Sequence, residues 1–254
     1  MPSSSPNPLG ADQKKWLAEG LGTFVLVIGG VGTAVLAGQQ VGTLGVALAF
    51  GLTLTFLVYS IGGLSGCHVN PAVTLGVLLL GRISPKNAIA YVVSQVIGGL
   101  AAGILLFALA NNLPSYDRPV DGLGANGWGA HSPSAQTGPL GEVVLQNGYG
   151  LAATIIIEVL MTAVLVFVVL ASTDELSDAP QSGVSIGFAL AIALIVAIQI
   201  DNGSMNPARS IAVAPYQDGA MGQLWAFILF PLIGGVLGSL IYGLIFGRSK
   251  PAHL

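Results

Sequence analysis

"GCHVNPAVTLG", residues 66–76, sets an Asn-Pro-Ala triplet and a histidine into a chain whose flanking segments are almost wholly apolar. "GSMNPARSIA", residues 203–212, nearly repeats it. Asn is among the best helix N-caps, and Pro is favoured at the first helical position because its missing N–H would be unsatisfied there anyway. Each triplet, Asn70-Pro71-Ala72 and Asn206-Pro207-Ala208, therefore reads as a helix start. The segment from Asn70 to Leu80 is apolar but only about 15 Å long as a helix, half the roughly 30 Å of a bilayer core. Asn206 to Ala214, stopped by Pro215, is similar.

The bilayer enters through composition. Of 254 residues, 53% are hydrophobic and only 7% charged, against roughly 25% charged in an ordinary soluble domain. Six apolar runs reach or approach the length needed to cross a membrane, at about residues 16–37, 42–61, 88–110, 151–171, 183–200 and 222–246. Continuous runs mean helices, since a barrel strand would alternate. The first run is too long for a signal-peptide core, and it carries Glu19. The Pro/Ser-rich opening, residues 1–15, reads as a flexible tail ahead of a single domain over 16–254.

Composition also excludes functions. One cysteine, Cys67, cannot form an intramolecular disulfide, and no basic cluster offers itself to nucleic acid. Three His and one Cys form no metal-ligand pattern and no nucleophile–base constellation, so neither an enzyme, a metal site nor a cofactor is expected.

The triplets head a longer repeat. Gly51 and Gly187 each lie 19 residues before their Asn, and "QVIGG" and "PLIGG" each begin 25 residues after it. Glu19 precedes Asn70 by 51 residues and Glu158 precedes Asn206 by 48. The chain is two homologous units, about 16–115 and 150–247, joined by a connection over about 111–150. Each unit has three spans, an odd number, so the second enters the membrane inverted, and the functional site of such a repeat is expected near the midplane. The two short segments, entering from opposite faces, then complete a seventh span. The expected fold is an all-α membrane protein of six transmembrane helices plus two re-entrant half-helices.

Orientation follows from Lys and Arg. With both termini cytoplasmic, the inside collects Lys14, Lys15, Arg82, Lys86, Arg248 and Lys250, and the outside only Arg118 and Arg209.

Two opposed Asn-capped ends have a definite chemistry. Each side-chain oxygen caps its helix, which leaves the amide NH2 free to donate. Two such donors at the midplane hold one water oxygen and turn its hydrogens away, so no continuous proton wire passes. Each helix N-terminus also carries roughly half a positive charge, which repels cations.

With these residues in place, the chain resembles the major intrinsic protein family, the aquaporins and aquaglyceroporins, and most of all a prokaryotic-type water channel with an atypical selectivity filter. The likeness runs from about Trp16 to Phe246 through "AEGLGTF", "GCHVNPAVT", "SQVIGG", "GSMNPARS" and "PLIGG". It implies a passive, bidirectional water channel in the cell membrane, surrounded by lipid and assembled as a homotetramer with one pore per subunit. Gly98, Gly99, Gly234 and Gly235 suit close helix contact, either between subunits or within one.

The resemblance places a selectivity filter at Phe50, Leu194, Gly203 and Arg209. Water-selective members usually have His where this chain has Leu194. Glycerol-conducting members usually have Trp at the position of Phe50, Gly at that of Leu194 and Phe at that of Gly203. Arg209 offers donors and fixed charge, the alternative being a structural ion pair; Phe50 is a filter wall or an ordinary core aromatic. Ser210, Ala214 and Phe227 resemble water channels, while Ile228 stands where those channels commonly have Trp. Such a filter is expected to pass water quickly and some small neutral solutes. The alternatives are an aquaglyceroporin-like facilitator of glycerol, other solutes or gases, and, outside the family, an ion-coupled secondary transporter.

Glu19 and Glu158 are expected to brace the loops bearing the triplets, the alternative being interfacial acids near helix ends. Cys67 is either a pore-side thiol open to mercurials or a buried inert one. His68 either lines the inner vestibule or holds the loop, and Gln95 reads as packing glue. No chemistry is assigned to His131 or to the rest of the 111–150 connection.

Overall fold

The first two apolar runs form one helix in two arms. In the computed structural model, which describes residues 9–137, 143–145, 148–177 and 182–247, α1 spans Ala11–Ser65. A straight helix of that length would reach about 80 Å, far beyond a bilayer core of roughly 30 Å. It breaks at Gly42, where φ is 63° and ψ −177°, a conformation open to glycine alone. The arms then run back alongside each other: a Cβ on Gly30 would collide with the Phe50 ring, and one on Gly29 with Thr53. Since α1 begins at Ala11, residues 11–15, expected in the flexible tail, are helical.

The second re-entrant segment mirrors the first. Chain order continues with α2 (Pro71–Leu79) and α3 (Pro85–Ala110), then the connection, then α5 (Leu151–Ser172), α6 (Ser182–Asp201), α7 (Pro207–Val213) and α8 (Ala220–Phe246). The connection holds a short helix α4 (Arg118–Asp121), a 3-10 turn (Gly129–His131) and an antiparallel pair, β1 (Gln136–Thr137) with β2 (Val143–Leu145), pairing Gln136 with Leu145. The membrane-embedded body is thus all-helical, with six spans once the arms of α1 are taken separately. Residues 1–8, Arg248 and Lys250 lie outside the described residues.

Packing ties the repeats into one body. The second arm of α1 crosses α6 where Gly51 meets Gly187; a Cβ on Gly51 would lie 2.6 Å from the Gly187 carbonyl oxygen. These are the two glycines that stand 19 residues before their Asn. Each half-helix packs chiefly on the long helix of the other repeat, α2 on α8 and α7 on α3. Gly99 and Gly235 serve these contacts, against Ala208 and Ala72, while Gly98 meets Gly20 of α1 and Gly234 meets Val159 of α5, all inside the chain.

The outward faces are apolar. Leu52, Ile89, Ile97, Phe188 and Leu244 are exposed, a surface that suits hydrocarbon and not water. Glu19, Gln95, Glu158 and Arg209 are buried within. The protein is an integral membrane protein turned polar side inward.

Candidate functional site

The loops ahead of the half-helices have unusual backbones held by buried acids. Cys67 and Val69 have φ of 49° and 43°, and Gly203 and Met205 have 49° and 51°. A β-branched residue such as Val69 is strained there. Glu19, fully buried, accepts from His68 N at 2.9 Å and Val69 N at 2.7 Å, and also from Ser65 Oγ and Gln95 Nε2. Glu158 accepts from Ser204 N at 2.6 Å and Met205 N at 2.8 Å. In both loops the carboxylate binds the two consecutive N–H groups that the left-handed turn directs inward.

From these turns the chain enters the half-helices. Asn70 Oδ1 accepts from Ala72 N at 2.8 Å, and Asn206 Oδ1 accepts from Ala208 N at 3.0 Å, with Pro first in each helix. The amides are not wholly free, as the sequence reading had them. Asn70 Nδ2 donates to Met205 O at 2.7 Å, and Asn206 Nδ2 donates to Val69 O at 2.9 Å. Each NH2 has two hydrogens, so one pins the opposite loop and the other is left over. This reciprocal pair clamps the two half-helix starts together.

Both Asn residues line one narrow cavity, with about 20 Å³ of room for the centre of a water molecule. Phe50, Leu194, Arg209, Cys67 and His68 line it with them. Gly203 is not among its lining residues. A Cβ on Gly203 would lie 2.7 Å from Leu194 Cδ2, so the leucine fills the volume that the glycine vacates. Leu194 and Gly203 therefore act sterically as one residue.

His68 joins two spaces. It lines the central cavity and also the vestibule that opens between Lys15, Arg82 and Tyr91. Its Nδ1 lies 3.2 Å from Thr74 Oγ1, and its ring meets Tyr91 edge-on at 5.2 Å.

Arg209 is only 2% exposed. Its Nη1 donates to Gly124 O at 2.9 Å and Asn126 Oδ1 at 2.8 Å, and its Cζ stands 5.8 Å from the Phe50 ring centre. Among the described residues no carboxylate pairs with it directly.

Four buried polar residues escaped the sequence reading or were undervalued by it. Ser65 and Asp201 both lie five residues before an Asn, and each accepts from the N–H two positions on, Cys67 N at 3.1 Å and Gly203 N at 3.0 Å. The repeat spacing could have found them. Gln95 bridges Glu19 to Thr74 and is more than packing. Asn126 carried no signal, being one polar residue in a Gly-rich loop.

Fold and site together define a membrane protein with two Asn-capped half-helices meeting at a central passage. Comparison with known proteins places it further. The family profile described as Major intrinsic protein matches residues 10–242. Aquaporin Z of Photorhabdus laumondii subsp. laumondii is 40% identical, over 93% of this chain and 99% of the relative. Aquaporin Z of Brucella melitensis biotype 1 is 41% identical, over 92% and 99%. The X-ray structure of the aquaglyceroporin from Plasmodium falciparum shares the fold, with a TM-score of 0.70 at 18% identity over 92% of this chain and 96% of that one. The chain belongs to the major intrinsic protein family.

Proposed function

We propose that the protein is a passive, bidirectional water channel that excludes protons and ions. One observation carries the reading: Asn70 and Asn206 cap opposed half-helices and line the same cavity, each keeping one amide hydrogen after the cross-loop bond. Two donors converging on one water oxygen turn its hydrogens outward and interrupt proton transfer. Helix N-termini and the permanent charge of Arg209 raise the barrier to cations. No binding of a driving ion is required, so flux follows the osmotic gradient in either direction.

Phe50, Leu194, Gly203 and Arg209 form the filter in this reading, Glu19 and Glu158 brace its loops, and Cys67 is where mercurials would block. Because Leu194 occupies the space beside Gly203, the filter is narrower than two independent openings would make it. Water passes fast, and glycerol leaks only slowly. Similarity to water-channel relatives named aquaporin Z supports the same assignment. The functional unit is a homotetramer in the cell membrane, embedded in lipid, with residues 16–254 as one channel domain and both termini cytoplasmic.

Stopped-flow light scattering on proteoliposomes tests this. Osmotic water permeability should far exceed that of empty vesicles, with low activation energy, and glycerol permeability should remain much smaller. Water flux no faster than through empty vesicles would overturn the channel reading. Glycerol flux matching water would favour the aquaglyceroporin alternative.

A further inference from the structure

Arg209 has no carboxylate partner at contact distance among the described residues, yet it is buried and aligned. Among the described residues its Nε has no partner, and Nη2 reaches Asn202 O only at 3.4 Å, a weak bond at that distance. The two short bonds both leave Nη1, and both end on residues 124–126 of the long connection. Gly124 contributes a backbone carbonyl, which any residue would supply. Asn126 contributes its side chain.

Asn126 is 4% exposed and uses both ends of its amide. Oδ1 accepts from Arg209 Nη1 at 2.8 Å and from Ser210 Oγ at 2.7 Å; Nδ2 donates to Asp201 O at 3.2 Å. The segment around it is fixed independently. Gln217 Oε1 accepts from Leu123 N and Ala125 N, and Asn202 Nδ2 donates to Ala125 O at 3.2 Å. Asn126 therefore transmits a rigid loop to a long side chain that otherwise has many rotamers. Opposite the guanidinium stands Phe50, so any swing of Arg209 changes the gap between them.

We propose that Asn126 is a positioning residue that fixes the Arg209 guanidinium across the passage and thereby sets the size limit for neutral solutes. The proposal rests on the water-channel reading for its consequence, and on the hydrogen bonds of Arg209 for its geometry. The acceptor end of the amide carries the effect, and the donor end only secures the loop.

Two substitutions separate these ends. Asn126→Asp keeps an acceptor facing Arg209 and Ser210 and loses the donor to Asp201 O. Asn126→Leu is similar in size and loses both, with Asn126→Ala as the smaller substitute where the leucine protein does not assemble. In proteoliposomes, the glycerol-to-water permeability ratio should rise about tenfold in the Leu or Ala variant, as expected for losing a hydrogen bond to a charged group. It should stay at the wild-type value in the Asp variant. Equal rises in Asp and Leu variants would assign Asn126 to loop anchoring, and an unchanged ratio in both would also overturn the proposal. Experimental structures of the same variants supply a readout independent of flux: the guanidinium should be displaced in Leu or Ala and retained in Asp. Should the wild type conduct no water, the channel reading fails, and the position of Arg209 in those structures still decides this one.

Discussion

Around Asn70, Glu19 gathers four donors, two backbone N–H groups with Ser65 Oγ and Gln95 Nε2; around Asn206, Glu158 gathers, among the described residues, only the two backbone N–H groups. Residues 136 apart explain the difference, because Ser65 and Gln95 correspond to Asp201 and Pro231. The backbone of the two loops is the same, with left-handed turns at equivalent places. Their charge is not. Val73 in the first half-helix corresponds to Arg209 in the second, and His68 with Thr74 corresponds to Ser204 with Ser210, whose hydroxyls lie 2.6 Å apart. One loop is satisfied by neutral donors, while the other collects a cation and two buried acids. Symmetry builds the passage, and departure from symmetry assigns the charged end of it.

The sharpest way to break this comparison is to neutralise each brace. Glu19→Gln turns an NH2 group toward two of four donors, leaving one backbone N–H unsatisfied, at about 1–3 kcal/mol, and forcing the Ser65 hydroxyl or the Gln95 amide to reverse. Glu158→Gln sets its NH2 against one donor only. Thermal unfolding in detergent should therefore show the larger loss for Glu19→Gln, roughly 3 kcal/mol against about half that. Equal losses would mean that the extra donors around Glu19 contribute nothing.

Arg209→Val gives the second half-helix the residue of the first. Two unit charges 8 Å apart interact by about 2 kcal/mol at an effective dielectric of 20, or about thirtyfold in rate. Proton leak, read with a pH dye inside proteoliposomes, should rise by about that factor while water permeability is kept. An unchanged leak would place the whole cation barrier at the Asn pair.

Much of this geometry was legible before the structure, because the repeat writes it twice. The triplets gave the half-helices, and the glycines at 51 and 187 marked the repeat without announcing that they meet. What stayed hidden lies between elements. A Gly and a Leu nine residues apart, Gly203 and Leu194, do not announce that one fills the other's space. The cross-loop bonds of Asn70 and Asn206 end on backbone carbonyls, which have no residue signature. Asn126 acts from a connection that has no counterpart in either repeat, so repeat matching had nothing to set beside it.

Asp201→Ser makes the smallest and most informative change, restoring at that site the residue of the first loop. Serine at 65 already accepts from the N–H two residues on, so serine at 201 should hold Gly203 N in the same way. One oxygen of Asp201 lies beside the Thr154 hydroxyl without a well-formed hydrogen bond, and a buried carboxylate in that condition is costly. Its loss should leave the protein folded, with stability equal or raised by about 1 kcal/mol, and water permeability unchanged. The second effect is electrostatic and opposite in sign to that of Arg209→Val. Removing a negative group near the guanidinium leaves more net positive charge beside the passage, so residual proton leak should fall severalfold. A protein that no longer folds would instead make Asp201 an essential counter-charge to Arg209, and the two loops would differ in what holds them as well as in what they carry.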